Sequence, residues 1–244
     1  MWKAVVFDLD GVLLDTEPLQ YQAWVNTMKR RGMSLSEKEY EGLTGKNVKD
    51  IVGILAPKHG IKDRDAFIEE RKAEISRLVT QEKLEKLPFA DDAVAYFKSA
   101  GFKVAIATST LGDSEMAAKV GKTGLDKVFG IIVTENDVAP GRGKPHPDIY
   151  LKAAEKLKLK PEDCIAIEDT PAGAQAAKAS GMTCFAVPNK YTRGKKFAGA
   201  DKVFGSLSEV MDYVKRSCFN DELSRRIEQG ALRAGCHRSR PDSA

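Results

Sequence analysis

Histidine and cysteine are scarce in this 244-residue chain, which holds three of the former and four of the latter. Cys164, Cys184, Cys218 and Cys236 show no paired spacing, and no Cys/His spacing suits zinc. A disulfide framework and a structural zinc site are therefore set aside. Cys164 and Cys184 open apolar segments and read as buried, reduced thiols, which fits a reducing compartment. No apolar run approaches a membrane span, and no signal peptide precedes the first predicted strand. The expectation is a cytoplasmic monomer with no membrane partner. Long basic blocks are missing too: a net charge of +4 is spread among Lys, Asp and Glu, which gives no argument for a nucleic-acid partner. What is present is ordinary for a globular protein, 42% hydrophobic and 30% charged, and long enough to bury a sizeable core.

Four segments stand out from this background. In Lys3-Ala4-Val5-Val6-Phe7-Asp8-Leu9-Asp10-Gly11-Val12 an apolar, β-branched run ends in two acids one residue apart. A buried parallel strand reads as such a continuous run, and open α/β sheets build their sites at strand C-termini. Alternation sends Asp8 and Asp10 to the same side. Two like charges there need a cation or a proton. A nucleophile, an acid/base and a divalent metal is one reading; an Asp- and Gly-rich turn is the other.

The segment Lys103–Thr110 is a second apolar run, ending in the hydroxyls Thr108, Ser109 and Thr110. Hydroxyls and backbone N–H groups at a strand-to-helix turn suit a phosphate oxygen, though they also cap helices. Next, Gly141-Arg142-Gly143-Lys144-Pro145-His146-Pro147-Asp148 fixes one lysine in a Gly/Pro loop, where a solvated lysine is the competing reading. Last, Cys164–Gly173 is a third apolar run, closing on Glu168-Asp169 before a helix. That acidic pair could simply favour the helix dipole. Four such coincidences at four strand ends argue for one site.

After residue 87 strands and helices alternate, which predicts a doubly wound parallel α/β sheet covered on both faces. Strands are expected near Trp2–Asp8, Lys103–Thr108, Ile131–Thr134, Ile165–Glu168 and Cys184–Val187, with an edge at Lys202–Phe204. Helices are expected near Asp91–Ala100, Asp113–Val120, Pro147–Leu157, Pro171–Ser180 and Leu207–Lys215. Residues 15 to 86 break the rhythm. Leu19, Ala23, Trp24, Thr27 and Met28 recur at helical spacing, Ser36 and Glu39 resemble a capping box, and Val48–Lys58 and Asp65–Val79 are amphipathic.

The quoted motifs resemble those of haloacid-dehalogenase-superfamily phosphohydrolases, in the branch that holds sugar phosphatases and β-phosphoglucomutase. The likeness runs from about Trp2 to Lys215 and is most specific in Asp8-Leu9-Asp10-Gly11-Val12-Leu13-Leu14-Asp15-Thr16-Glu17. It implies a Rossmann-like core of residues 1–14 and 87–216 and an all-helical cap, 15–86, inserted after the first strand. It implies Asp8 as nucleophile and Asp10 as general acid/base. Thr108, Ser109 and Lys144 would bind the phosphoryl group. Mg2+ would sit on Asp8, Asp10 (through its main-chain carbonyl), Asp169 and, assisting, Glu168. The loop Thr44-Gly45-Lys46-Asn47 matches the substrate-facing cap loop, so Lys46 and Asn47, with Thr16 and Gln20, are candidate substrate contacts. A plain helix–helix connection is the other reading of that loop.

The resemblance implies a Mg2+-dependent phosphatase of small phosphorylated metabolites, with a β-phosphoglucomutase-like phosphomutase as the alternative. Mutases of this branch carry a histidine where this chain has Gln20, and a cap arginine where it has Lys46-Asn47-Val48-Lys49. Lysine lacks the arginine fork. A non-enzymatic phospho-accepting signalling protein fits less well, because receivers of that kind lack a helical insertion and a first-strand acceptor. Residues 217–244, with five Arg and no Lys against eight Arg and twenty-six Lys before them, read as a tail, either disordered, regulatory or artificially added, with Ser224–Ala234 as a candidate surface helix.

Overall fold

A computed structural model describes residues 2–219; the helix expected at 224–234 lies outside them. Among the described residues six parallel strands form one sheet: β1 (Ala4–Phe7), β2 (Lys103–Ala107), β3 (Ile132–Val133), β4 (Cys164–Glu168), β5 (Thr183–Ala186) and β6 (Lys202–Val203). Their order is β3-β2-β1-β4-β5-β6. The chain moves outward from β1 on one side, then crosses back to β4 on the other. That crossing makes β1/β4 the topological switch point, where open α/β sheets leave a crevice at their C-terminal edge.

Alternation within β1 divides the core. Val5 and Phe7 join Ile106, Ile165, Ile167 and Phe185 on one face. Helices α5 (Ala90–Ser99), α6 (Asp113–Thr123) and α9 (207–219) cover that face. Ala4 and Val6 face the other way with Ala105, Ala107 and Ala166, against α7 (Asp148–Leu157) and α8 (Pro171–Ser180). The residues facing α7 and α8 are smaller, so Tyr150 is fully buried there close to the sheet. Helix α9 continues past the expected boundary at 216; Ser217 Oγ donates to the Tyr213 carbonyl at 3.0 Å, and Cys218 packs on the core. Cys164 and Cys184 are buried free thiols, as their apolar context predicts. No helix among the described residues is long and apolar enough to cross a membrane.

Between β1 and α5 stand four helices: α1 (Glu17–Arg30), α2 (Glu37–Leu43), α3 (Val48–His59) and α4 (Arg64–Gln81). The two ends of this insert pair with each other, Asp15 N to Glu85 O and Leu87 N to Leu13 O, each at 2.9 Å. Trp24, Met28, Leu55 and Phe67 give the insert a core of its own. Ser36 caps α2 by accepting the Glu39 N–H at 3.3 Å. The expected capping box is only half made, because the Glu39 carboxylate takes Lys58 and His59 instead. The Lys58 cation, brought in by α3, outcompetes a backbone N–H.

The ring of Phe67 stacks on Trp24 with centroids 6.2 Å apart, under the guanidinium of Arg31 at 5.2 Å. Phe67→Ala empties a fully buried site and is expected to cost about 3–5 kcal/mol, read by urea denaturation. A loss below about 1 kcal/mol would show that the insert is not held by this stack.

Candidate active site

The register Phe7↔Ile106 and Phe7↔Ile167 sets Asp8, one step beyond β1, beside Ala107 and Glu168 at the ends of β2 and β4. Asp8 N donates to the Ile167 carbonyl at 2.9 Å, which fixes its main chain. Asp169 follows β4 directly. Asp8, Glu168 and Asp169 thus come together, each offering an oxygen within 4.8 Å of the others, all buried. Lys144 enters from the Gly/Pro loop. Its Nζ lies 2.6 Å from Asp8 Oδ1, 2.6 Å from Glu168 Oε1 and 3.0 Å from the Ala107 carbonyl.

Burial pushes the Asp8 carboxyl up to about 7, with Glu168 and Asp10 adding to the rise and Lys144 opposing it. Burial, then Asp8 and Glu168, also hold Asp169 well above the ordinary carboxylate range. Burial alone would lower Lys144, but Asp8 and Glu168 outweigh it and hold the amine above its usual value. Glu168 is saturated: Oε1 takes Lys144 and the Tyr150 hydroxyl at 2.5 Å, and Oε2 accepts Asp169 N at 3.2 Å and Thr170 Oγ1 at 3.2 Å. It anchors the loop rather than facing the cavity. Asp169 Oδ2 accepts from Asn189 Nδ2 at 2.7 Å, whereas its Oδ1 is buried with no hydrogen-bond partner. An orphaned carboxyl oxygen beside two further carboxyl groups is a donor set for a hard divalent cation. Two glycines make the cluster possible. A Cβ at Gly11 (φ +83°) would fall 2.0 Å from Asp169 Oδ2, and one at Gly173 2.0 Å from the Glu168 carboxyl carbon.

Asp10 stands apart from this cluster. Thr16 Oγ1 donates to its Oδ1 at 2.6 Å, Lys119 Nζ to its Oδ2 at 2.9 Å and Thr110 Oγ1 at 3.2 Å. Burial raises the Asp10 carboxyl, but Lys119 outweighs burial and holds it below the ordinary range. Lys119 is itself 1% exposed, bridging Asp10 to Glu115 at 2.8 Å.

A cavity of about 930 Å³ opens above these groups, between the sheet edge and the insert. Asp8, Asp10, Thr108, Ser109, Lys144, Asp169, Gln20, Lys46 and Asn47 all line it. Thr16 does not: it is fully buried and acts through Asp10, because its hydroxyl is committed there. Asn47 is committed too, as the N-cap of α3, accepting Asp50 N at 2.9 Å. Thr108 Oγ1 accepts Thr110 N at 3.1 Å, and Ser109 is exposed. A Cβ added at Gly45 (φ +82°) would lie 3.5 Å from Pro171 Cδ, at the start of α8. Sequence reasoning missed Lys119, Asn189 and Arg71. Lys119 and Arg71 carried no motif, only a cation on the inward face of an amphipathic helix.

In the metal-free protein the raised Asp8 value has a stability consequence. From about pH 4 to about pH 7 the folded state keeps a proton that the unfolded chain has released, so this group's contribution falls as pH rises. With chelator present, Asp8→Asn should therefore gain stability relative to wild type across that window, measured by urea denaturation. A difference independent of pH would show that Asp8 titrates normally.

Comparison with known proteins places this geometry. The family description "haloacid dehalogenase-like hydrolase" matches residues 2–181. A phosphorylated carbohydrates phosphatase of Thermotoga maritima is 33% identical over 86% of this chain and 100% of its own. A β-phosphoglucomutase of Bacillus subtilis is 28% identical over 85% of this chain and 91% of its own. The crystal structure of CbbY from Rhodobacter sphaeroides in complex with phosphate superposes with a TM-score of 0.72 at 30% identity, covering 86% of this chain and 96% of that one. The chain belongs to the haloacid dehalogenase-like hydrolases.

Proposed function

We propose that this protein is a Mg2+-dependent phosphatase of small phosphorylated metabolites, sugar phosphates above all, working through an aspartyl-phosphate on Asp8. The observation that carries the reading is the pairing of Asp8 with Lys144 on one side and the orphaned Asp169 oxygen on the other, at the floor of a cavity. The names of the phosphatase and mutase relatives support it.

A carboxylate nucleophile and a phosphate monoester repel each other. Lys144, within bonding distance of Asp8, offsets part of that repulsion. Magnesium held by Asp8, Asp169 and the Asp10 main-chain carbonyl would offset more and stabilise charge on the equatorial oxygens. Asp8 attacks phosphorus and the ester bond breaks. Asp10 gives a proton to the departing alcohol, then takes one from the water that attacks the aspartyl-phosphate. Lys119 favours ionised Asp10 in the free protein, the form suited to the second step. An arriving phosphoester adds negative charge nearby, which favours the protonated form the first step needs. Thr108 and Ser109, which line the cavity, would bind the phosphoryl group. Residues 15–86 act as a cap over a core of 1–14 and 87–216, excluding water from the reaction.

The test is a screen of phosphorylated sugars and other small phosphoesters with Mg2+, scored for free phosphate and for isomerised product. Free phosphate is expected, abolished by chelator and restored by Mg2+; Asp8→Asn should lower the rate by at least about a thousand-fold. Isomerised product without free phosphate would favour the phosphomutase. Full activity in excess chelator, or in a folded Asp8→Asn protein, would overturn the mechanism.

A further inference from the structure

Arg71 of α4 lies in the cavity wall contributed by the insert, and only 8% of it is exposed. Its Nη2 donates to Gln20 Oε1, and its guanidinium carbon stands 4.9 Å from the centroid of the Trp24 ring. The Nε–H is buried and has no partner. No carboxylate among the described residues forms an ion pair with it within 4.0 Å; Asp10, Glu17, Glu115 and Tyr40 act on it only from farther away. A buried cation without a direct counter-charge is costly, and one that lines a cavity while keeping an N–H unpaired is a built half of an anion site. Other cavity-wall cations do not share this condition. Lys144 and Lys119 are each matched by two carboxylates, and Lys46, Lys49 and Lys72 are exposed to water.

We infer that Arg71 binds a second oxyanion of the substrate, a carboxylate or a further phosphate on the leaving group, and so sets which phosphoesters are used. The guanidinium fork presents parallel N–H donors to two oxygens, a geometry that hydroxyls of a neutral polyol fill less well. Gln20 holds the fork in place, and Trp24 supports its face. The phosphoryl group being transferred is held on the opposite side, by the groups at the sheet edge. Arg71 would therefore contribute through the leaving group, where remote contacts can raise the rate of the chemical step. This rests on the phosphatase reading above and adds to it a substrate class.

The test compares kcat/KM within matched pairs: glycerol 3-phosphate against 3-phosphoglycerate, glucose 6-phosphate against 6-phosphogluconate, and ribulose 5-phosphate against ribulose 1,5-bisphosphate. The first two pairs probe a carboxylate and the third a phosphate. Wild type should favour the anionic member of at least one pair by about ten- to a hundred-fold, the range for a buried charge-assisted hydrogen bond. Arg71→Gln should bring that ratio close to one. Arg71→Lys, which keeps the charge without the fork, should give an intermediate ratio and serves if the glutamine variant does not fold. Wild type turning over both members of every pair alike, or Arg71→Gln slowing both members equally, would overturn the inference while leaving the phosphatase reading in place. Failure to hydrolyse any phosphoester, p-nitrophenyl phosphate included, would overturn both.

Discussion

Three buried carboxylates beside one lysine set the terms for the rest of this molecule. Asp8, Glu168 and Asp169 each offer an oxygen within 4.8 Å of the others, and Lys144 pairs directly with Asp8 and Glu168 but not with Asp169. They are buried, so repulsion among them is screened less than it would be at the surface. The parallel register of β1 and β4 forces the approach, since neither acid can move without breaking the ladder. Much of the surrounding structure serves the cluster. Gly11 and Gly173 leave room for carboxylates where a methyl group would collide. Tyr150, Thr170 and Asn189 donate hydrogen bonds to it. One oxygen, Asp169 Oδ1, has no hydrogen-bond partner, a condition that suits a ligand for a hard cation.

The two acids of the first motif are separated by their lysines. Asp8 pairs with Lys144 inside the acidic cluster, and its carboxyl is pushed up. Asp10 pairs with Lys119, with Thr16 and Thr110 adding hydrogen bonds, and its carboxyl is pulled down. Two chemically identical side chains two residues apart thus acquire different proton affinities, the arrangement by which one site runs distinct acid and base roles. Lys119 comes from α6 and Lys144 from the loop before α7, so the distinction depends on two crossovers closing on the same strand end.

The positions that carry main-chain consequences were readable before the fold was. Apolar runs ending in Asp8, Thr108 and Glu168-Asp169 became β1, β2 and β4, because only a buried parallel sheet absorbs such runs. The helical character of 17–81 followed from spacing, and α8 began and ended where Thr170, Pro171 and Gly181 imply. Side-chain commitments were not readable. Thr16 and Asn47 looked free to meet substrate, yet one is spent on Asp10 and the other on capping α3. Lys119 and Arg71 belonged to no motif. Which face of an amphipathic helix turns inward at the one turn that meets a cavity is decided by packing between elements far apart in sequence, as with Arg71 and Gln20.

The central claim is that the buried acidic cluster is completed by a divalent cation. The most direct measurement is the unfolding midpoint of the protein as Mg2+ is raised at fixed pH, for wild type and for Asp169→Asn. A cation bound only in the folded state must stabilise it by mass action. The account predicts a wild-type midpoint that climbs with Mg2+ and a variant that responds far less. A wild-type midpoint indifferent to Mg2+ would contradict it.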